Sequence, residues 1–145
     1  MQYHHRQFGT FIVAALAASM IFVSLPLIRG QEFHAIQAQV VLVLLAAIGL
    51  FYALTIEIRE NTLFIRMGIG LIRRRIPLSE IEQARKIRIP LWAGFGIHGI
   101  PGLSWVWNVS GRDGVELTFK KGGRLIVGSD EPEALVRAIE SSKAD

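Results

Sequence analysis

The chain has no cysteine, which excludes disulfides, a thiolate nucleophile and any zinc or iron-sulfur site built on sulfur. The redox compartment is therefore unmarked. Proline is scarce, five in 145 residues, and the fourteen glycines are dispersed, so neither a collagen-like repeat nor a disordered tail fits. Charge is also thin: 19% of residues are charged against 51% hydrophobic, and the mean hydropathy is positive. Such a balance is too apolar for an ordinary soluble domain, and the length is too short for two. It suits a membrane protein carrying one small soluble domain. Sixteen Lys and Arg against twelve Asp and Glu give a net charge of +4, mild for a nucleic-acid binder but consequential if the positive groups face a membrane.

Two long runs lack charge altogether, Phe8 to Ile28 and Ile36 to Ile56. At 1.5 Å per residue, each is long enough to cross a hydrocarbon core of about 30 Å. The alternative for the first run is a secretory signal peptide, since Arg6 precedes it. Its length and the exit Leu25-Pro26-Leu27-Ile28-Arg29, which has no small-x-small cleavage pattern, argue for a span. The residues from 29 to 35 form the connection, so the two helices must run antiparallel with both outer ends on one side. Arg6, Arg59, Arg66 and Arg73 to Arg75 flank that side and only Arg29 lies in the connection, which predicts a cytoplasmic soluble part. Gln37 and Gln39 at the entry of the second run can bond across helices or simply sit at the interface.

Beyond the spans the pattern changes from continuous apolar to alternating. Thr55–Arg59 and Thr62–Met67 read as strands around a turn at Glu60 and Asn61, followed by Leu71–Ile76 and a longer strand Ile81–Ile89. A third uncharged run, Ile89 to Gly111, is too interrupted by glycine and proline to be a membrane helix. Ser104–Val109, Val115–Phe119 and Arg124–Val127 then predict a meander of short antiparallel strands. At the end, Asp130 with Glu133 has capping-box spacing, Pro132 suits a first turn, and Leu135, Ala138 and Ile139 make one apolar stripe, so a helix closes the chain.

Ile76-Pro77-Leu78-Ser79-Glu80-Ile81, the stretch from Trp107 to Gly111 with Gly114 to Leu117, and Gly128-Ser129-Asp130-Glu131-Pro132-Glu133 with Leu135 resemble the bacterial pleckstrin-homology-like domain proteins, often membrane-flanked. The resemblance covers about residues 54–141. It implies an α+β architecture: a two-helix transmembrane hairpin (1–56), then a seven-stranded pleckstrin-homology-like split β-barrel (57–145) capped by a C-terminal helix. It also implies a bacterial inner-membrane protein with both termini cytoplasmic. Such folds carry lipid binding, peptide binding and scaffolding alike, so function must come from the residues.

Catalytic and metal signatures are missing. The four histidines lack ligand spacing, Ser110 lacks a nucleophile elbow, and Gly94 to Gly102 lacks a following Gly-Lys-Ser/Thr. No metal or cofactor is implied, nor a nucleic-acid motif. A small membrane enzyme would have to work through His98, Asn108 and Ser110. Two features are more suggestive. Arg73, Arg74, Arg75, Arg85, Lys86 and Arg88 would lie near an anionic surface as possible lipid contacts, each near-surface charge contributing about 1 kcal/mol, although edge strands also carry such charges for protection. The uncharged stretch with Leu91, Trp92, Phe95, Ile97, Ile100, Leu103, Trp105 and Trp107 reads either as core strands or as an interface, chiefly through Trp92, Phe95, Trp105 and Trp107. The expected role is a non-catalytic binding or assembly module. Its partners would be the bilayer, in which it is integral, and a second protein or second copy; the alternative is a sensor of anionic headgroups.

Overall fold

The computed structural model describes residues 3–32, 34–101 and 104–144. The architecture is mixed α+β, with three helices and two sheets among the described residues. The chain opens with strand β1 (Tyr3–Phe8), then helices α1 (Thr10–Ile28) and α2 (Ala35–Phe51). Strands β2 (Ala53–Arg59), β3 (Thr62–Met67) and β4 (Ile72–Pro77) follow, and a single 3-10 turn leads to β5 (Ile81–Arg88). After a second such turn come β6 (Gly96–Ile100), β7 (Ser104–Asn108), β8 (Asp113–Phe119), β9 (Arg124–Gly128) and helix α3 (Pro132–Ala144).

Three sequence expectations are corrected. The second apolar helix stops at Phe51, and the residues from Ala53 to Ile56 belong to β2. Val, Leu and Ile suit a buried strand as well as a bilayer, so an uncharged run cannot mark where one becomes the other. The same pairing moves the boundary between hairpin and domain: β1, which precedes the first helix, pairs antiparallel with β2 from Tyr3↔Ile58 to Phe8↔Ala53. The two apolar helices are thus the loop of a β-hairpin. Finally, the last strands are not a meander. The second sheet has the order β5-β8-β9-β7-β6, and β7 runs parallel to β9. Gly128 permits that approach, because a Cβ there would lie 2.2 Å from Asn108 Oδ1.

The first sheet is a regular meander, β1-β2-β3-β4. Its β2–β3 turn has Glu60 and Asn61 at φ of 50° and 56°, the left-handed pair that a two-residue hairpin requires. Leu54, Ile56, Ile58, Leu63, Ile65, Met67 and Ile76 from this sheet join Trp107, Val115, Leu117, Leu125 and Val127 from the second in one core. Leu135, Ala138 and Ile139 of α3 close it. No closed barrel forms among the described residues, because β4 and β5, the edges joined by the 3-10 turn, belong to separate sheets. A smaller cluster of Ile89, Ala93, Val106 and Ile126 lies apart from the main core. Asp130 turns to His5 instead of capping α3, and in the turn that leads into the helix Ser129 Oγ accepts the Glu131 N–H at 3.1 Å.

No residue of α1 or α2 is buried. α1 is long and apolar enough to cross a membrane; α2 is apolar but shorter, at 17 residues. Gln37 caps α2, its Oε1 accepting the His34 N–H at 2.7 Å.

Candidate functional site

Strand alternation in the first sheet sends one set of side chains to the core and the other to its outer face. Register then lines the outer set up in rows. Arg6 lies opposite Thr55, Thr55 opposite Arg66, and Arg66 opposite Arg73. Two residues further along the strands, His4, Glu57, Phe64 and Arg75 form the next row, and Arg59 stands opposite Thr62 beyond it. Five arginines therefore share this face with one carboxylate, Glu57. That carboxylate is engaged by Arg66 at 3.0 Å and Arg59 at 3.4 Å. The Arg59 and Arg75 guanidiniums stand 5.1 and 5.6 Å from the Phe64 ring centre, within cation-π range. Arg59, Phe64, Arg66, Arg73 and Arg75 of this face are among the residues that line a cleft of about 80 Å³.

The six basic residues singled out from sequence do not form one patch. Arg73 and Arg75 belong to the face just described, but Arg74 alternates to the other side of the edge strand, where its guanidinium lies 5.7 Å from the Phe119 ring centre. Arg85 is opposite Glu116 on β8 and bonds it at 2.6 Å; Glu116 is only 3% exposed. Lys86 donates to Glu133 on α3, and that hydrogen bond holds the ammonium pKa up and the carboxylate pKa down. Arg85 and Lys86 are thus paired within the domain, and Arg88 remains exposed at the end of β5. Conversely Arg6, Arg59 and Arg66 entered the sequence argument only as topology charges. The Glu60-Asn61 turn fixes the register of β2 against β3, so alternation there was the signal that would have put Arg59 and Arg66 on one face; Arg6 and Arg73 joined it only through the pairing of β1 with β2 and of β3 with β4.

The aromatic stretch divides as well. Trp107 is core, at 8% exposure, whereas Trp92 and Trp105 are 69% and 56% exposed. Phe95 stacks on Phe11 in the first turn of α1, ring centres 4.8 Å apart. Leu103 lies outside the described residues. Phe8, Ile69, Leu71 and Leu91 are exposed too. Of these, Phe8 immediately precedes α1, and Ile69 donates its N–H to Gly49 O at the end of α2. Phe8, Phe95 and Ile69 therefore form an apolar collar segment at the root of the helical hairpin. At that root Gly9 N–H donates to Tyr52 O at 2.7 Å. Gly68, at φ +55°, sits so close that a Cβ would lie 2.2 Å from Gly49 O.

On the other flank β1 is tied to the second half of the domain. His5 Nε2 contacts Asp130 Oδ1 at 2.5 Å, and Nδ1 is 3.4 Å from Glu131 Oε2. Gln7 Nε2 donates to Ser110 O at 2.9 Å. Burial, with Glu131 and Asp130 nearby, pushes the Tyr3 phenol up to about 12. The His98, Asn108 and Ser110 set does not converge: Asn108 Nδ2 donates to Gly111 O and its Oδ1 accepts the Ser110 N–H, which spends both residues on a turn. His98 is two residues along β6 from Gly96, the residue paired with Asn108.

No protein-family model and no curated protein matches this chain.

Proposed function

We propose that this is a membrane-integral protein whose helical hairpin spans the bilayer and displays a β domain at the cytoplasmic surface as a non-catalytic binding or assembly module. The observation that carries this reading is the insertion of α1 and α2 between the paired strands β1 and β2. Unburied apolar helices need lipid or a partner around them. Their lengths, about 28 and 26 Å at 1.5 Å per residue, suit a bilayer core, and the apolar collar lies where the interface would be. Cleavage of α1 as a signal peptide would also remove β1 from the sheet, which argues for retention.

A pleckstrin-homology-like origin for the domain is part of the proposal. Setting aside the β6–β7 hairpin leaves a four-stranded meander, a three-stranded meander β5-β8-β9 and a C-terminal helix. That is the strand and helix count the resemblance implies. The anionic-surface reading is favoured over a protein partner by the arginine rows, which start two residues from Phe8 at the helix root.

The absence of cysteine makes a direct test available. Gln31→Cys in the connection should react with a membrane-impermeant maleimide in intact cells, and Lys121→Cys in the domain only after lysis. Alkaline extraction should leave the full-length chain in the membrane. Labelling of Lys121→Cys in intact cells, or a mature chain lacking α1 by mass spectrometry, would overturn the reading.

A further inference from the structure

We infer that the outer face of the first sheet holds a discrete site for a single phosphate group, formed by Arg66, Arg73 and Arg75 around Phe64 at headgroup height beside the hairpin root. This rests on the membrane-display reading above.

Four observations converge on it. Arg66 and Arg73 are direct cross-strand neighbours, a like-charge arrangement that is destabilising and that Glu57, bonded to Arg66 at 3.0 Å, offsets on the Arg66 side alone. Arg66, on the interior strand β3, is not an edge-protecting charge, and that ion pair is made through one of its nitrogens, Nη2. Among the described residues no carboxylate pairs with Arg73 or Arg75, and Glu57 is already shared by two other arginines. A guanidinium held over an aromatic ring keeps its in-plane N–H donors available, and Arg75 is so held by Phe64. The cleft, about 80 Å³, is roughly half the 150 Å³ that accommodates a benzene. It has room for a phosphate group.

Height selects the source. The row of Arg6, Arg66 and Arg73 lies two residues, about 7 Å, from Phe8 along the strands. The headgroup layer extends roughly 5 to 8 Å beyond the hydrocarbon core. Arg66 and Arg73 therefore meet lipid phosphates without the domain moving, while Phe64 and Arg75, one row further out at about 14 Å, border the site on its domain side. Free phosphate offers the same chemistry, and the two are separated as follows.

Full-length protein in neutral detergent is incubated with equal amounts of phosphatidylcholine and phosphatidic acid, repurified, and its bound lipid counted by mass spectrometry. A parallel sample is titrated with inorganic pyrophosphate and followed by thermal unfolding. The wild type should retain phosphatidic acid about tenfold better than Arg66→Gln/Arg73→Gln, since charge-assisted hydrogen bonds contribute on that scale. Lys120→Gln/Lys121→Gln, which removes the same charge elsewhere, should retain it like the wild type. Pyrophosphate stabilisation that the arginine variant loses, without lipid enrichment, supports the site and names free phosphate as its source. Equal loss in the two variants would show diffuse charge attraction and overturn the site, as would binding of neither probe. If the double variant is poorly folded, Arg73→Gln alone, exposed on the edge strand, gives the same comparison. Alkaline extraction of each variant keeps failure of the site distinct from failure of the membrane reading.

Discussion

Glu116 is the residue whose charge has the least solvent, and its fate depends on Arg85. The carboxylate is 3% exposed, bonded by Arg85 at 2.6 Å and approached by Arg124 only at 3.9 Å. Removing the cation beside a buried carboxylate leaves a desolvated charge, a loss that solvent reduces here because Arg85 itself is 57% exposed. Arg85→Ala should therefore cost about 2 to 4 kcal/mol, and adding Glu116→Leu should recover most of it, measured by urea unfolding followed through tryptophan fluorescence. Gly68 is constrained in a different way, by φ +55° and by the Gly49 and Leu50 carbonyls against it. Gly68→Ala should lose about 1 to 3 kcal/mol and loosen the joint between β3–β4 turn and α2, seen as faster hydrogen exchange at Ile69. Tyr3 reports on the docking of β1. Its phenol is raised to about 12 by burial first and by Glu131 and Asp130 second. A raised phenol stabilises the fold fully below pH 10 and loses that contribution as pH rises through 12. In a Tyr52→Phe background the phenol absorbance should titrate near 12, and Asp130→Asn/Glu131→Gln should lower it only part of the way, because burial, the larger cause, remains.

At the scale of elements, the unusual feature is a β-hairpin whose loop is a pair of apolar helices. Phe8 and Ala53 are paired, so a two-residue Asn-Gly turn could replace residues 9–52 without changing register. Such a chain should be folded and cooperative, with native-like near-ultraviolet dichroism. A fragment beginning at residue 57 cuts β2 and lacks β1, and it should be expanded or insoluble. Equal behaviour of the two would remove β1 from the account of the domain. The strands from Thr62 onward were visible in the sequence because alternation and turn residues coincide there: Leu63, Ile65 and Met67 inward, Glu60-Asn61 in the turn. β1 was not visible. His4, His5 and Arg6 are polar on a short segment, and only the distant β2 makes a strand of them. β6 was hidden similarly, since Gly96 and Gly99 interrupt its pattern and its pairing with β7 supplies the order.

For the whole molecule, the hairpin insertion ties the apolar helices and the domain together through the Gly9–Tyr52 hydrogen bond and the close seat of Gly68 on α2. The domain therefore cannot swing freely about the helices, and its arginine face keeps one edge toward the helix root. The composition alone established an apolar hairpin with a small α+β domain behind it, because hydrophobic runs and periodicity are local properties of the chain. The closing helix followed from the same kind of signal, a stripe at Leu135, Ala138 and Ile139. Register and long-range pairing are different in kind. Arg85 and Lys86 looked like surface cations until strand and helix neighbours placed Glu116 and Glu133 beside them, and Trp105 and Trp107 differ in burial although only one residue separates them. Arg66 met Arg73 only once β3 and β4 were paired. Charge and hydropathy can be counted along a sequence, but which charges share a face depends on contacts between residues far apart in it, and those exist only in the folded chain.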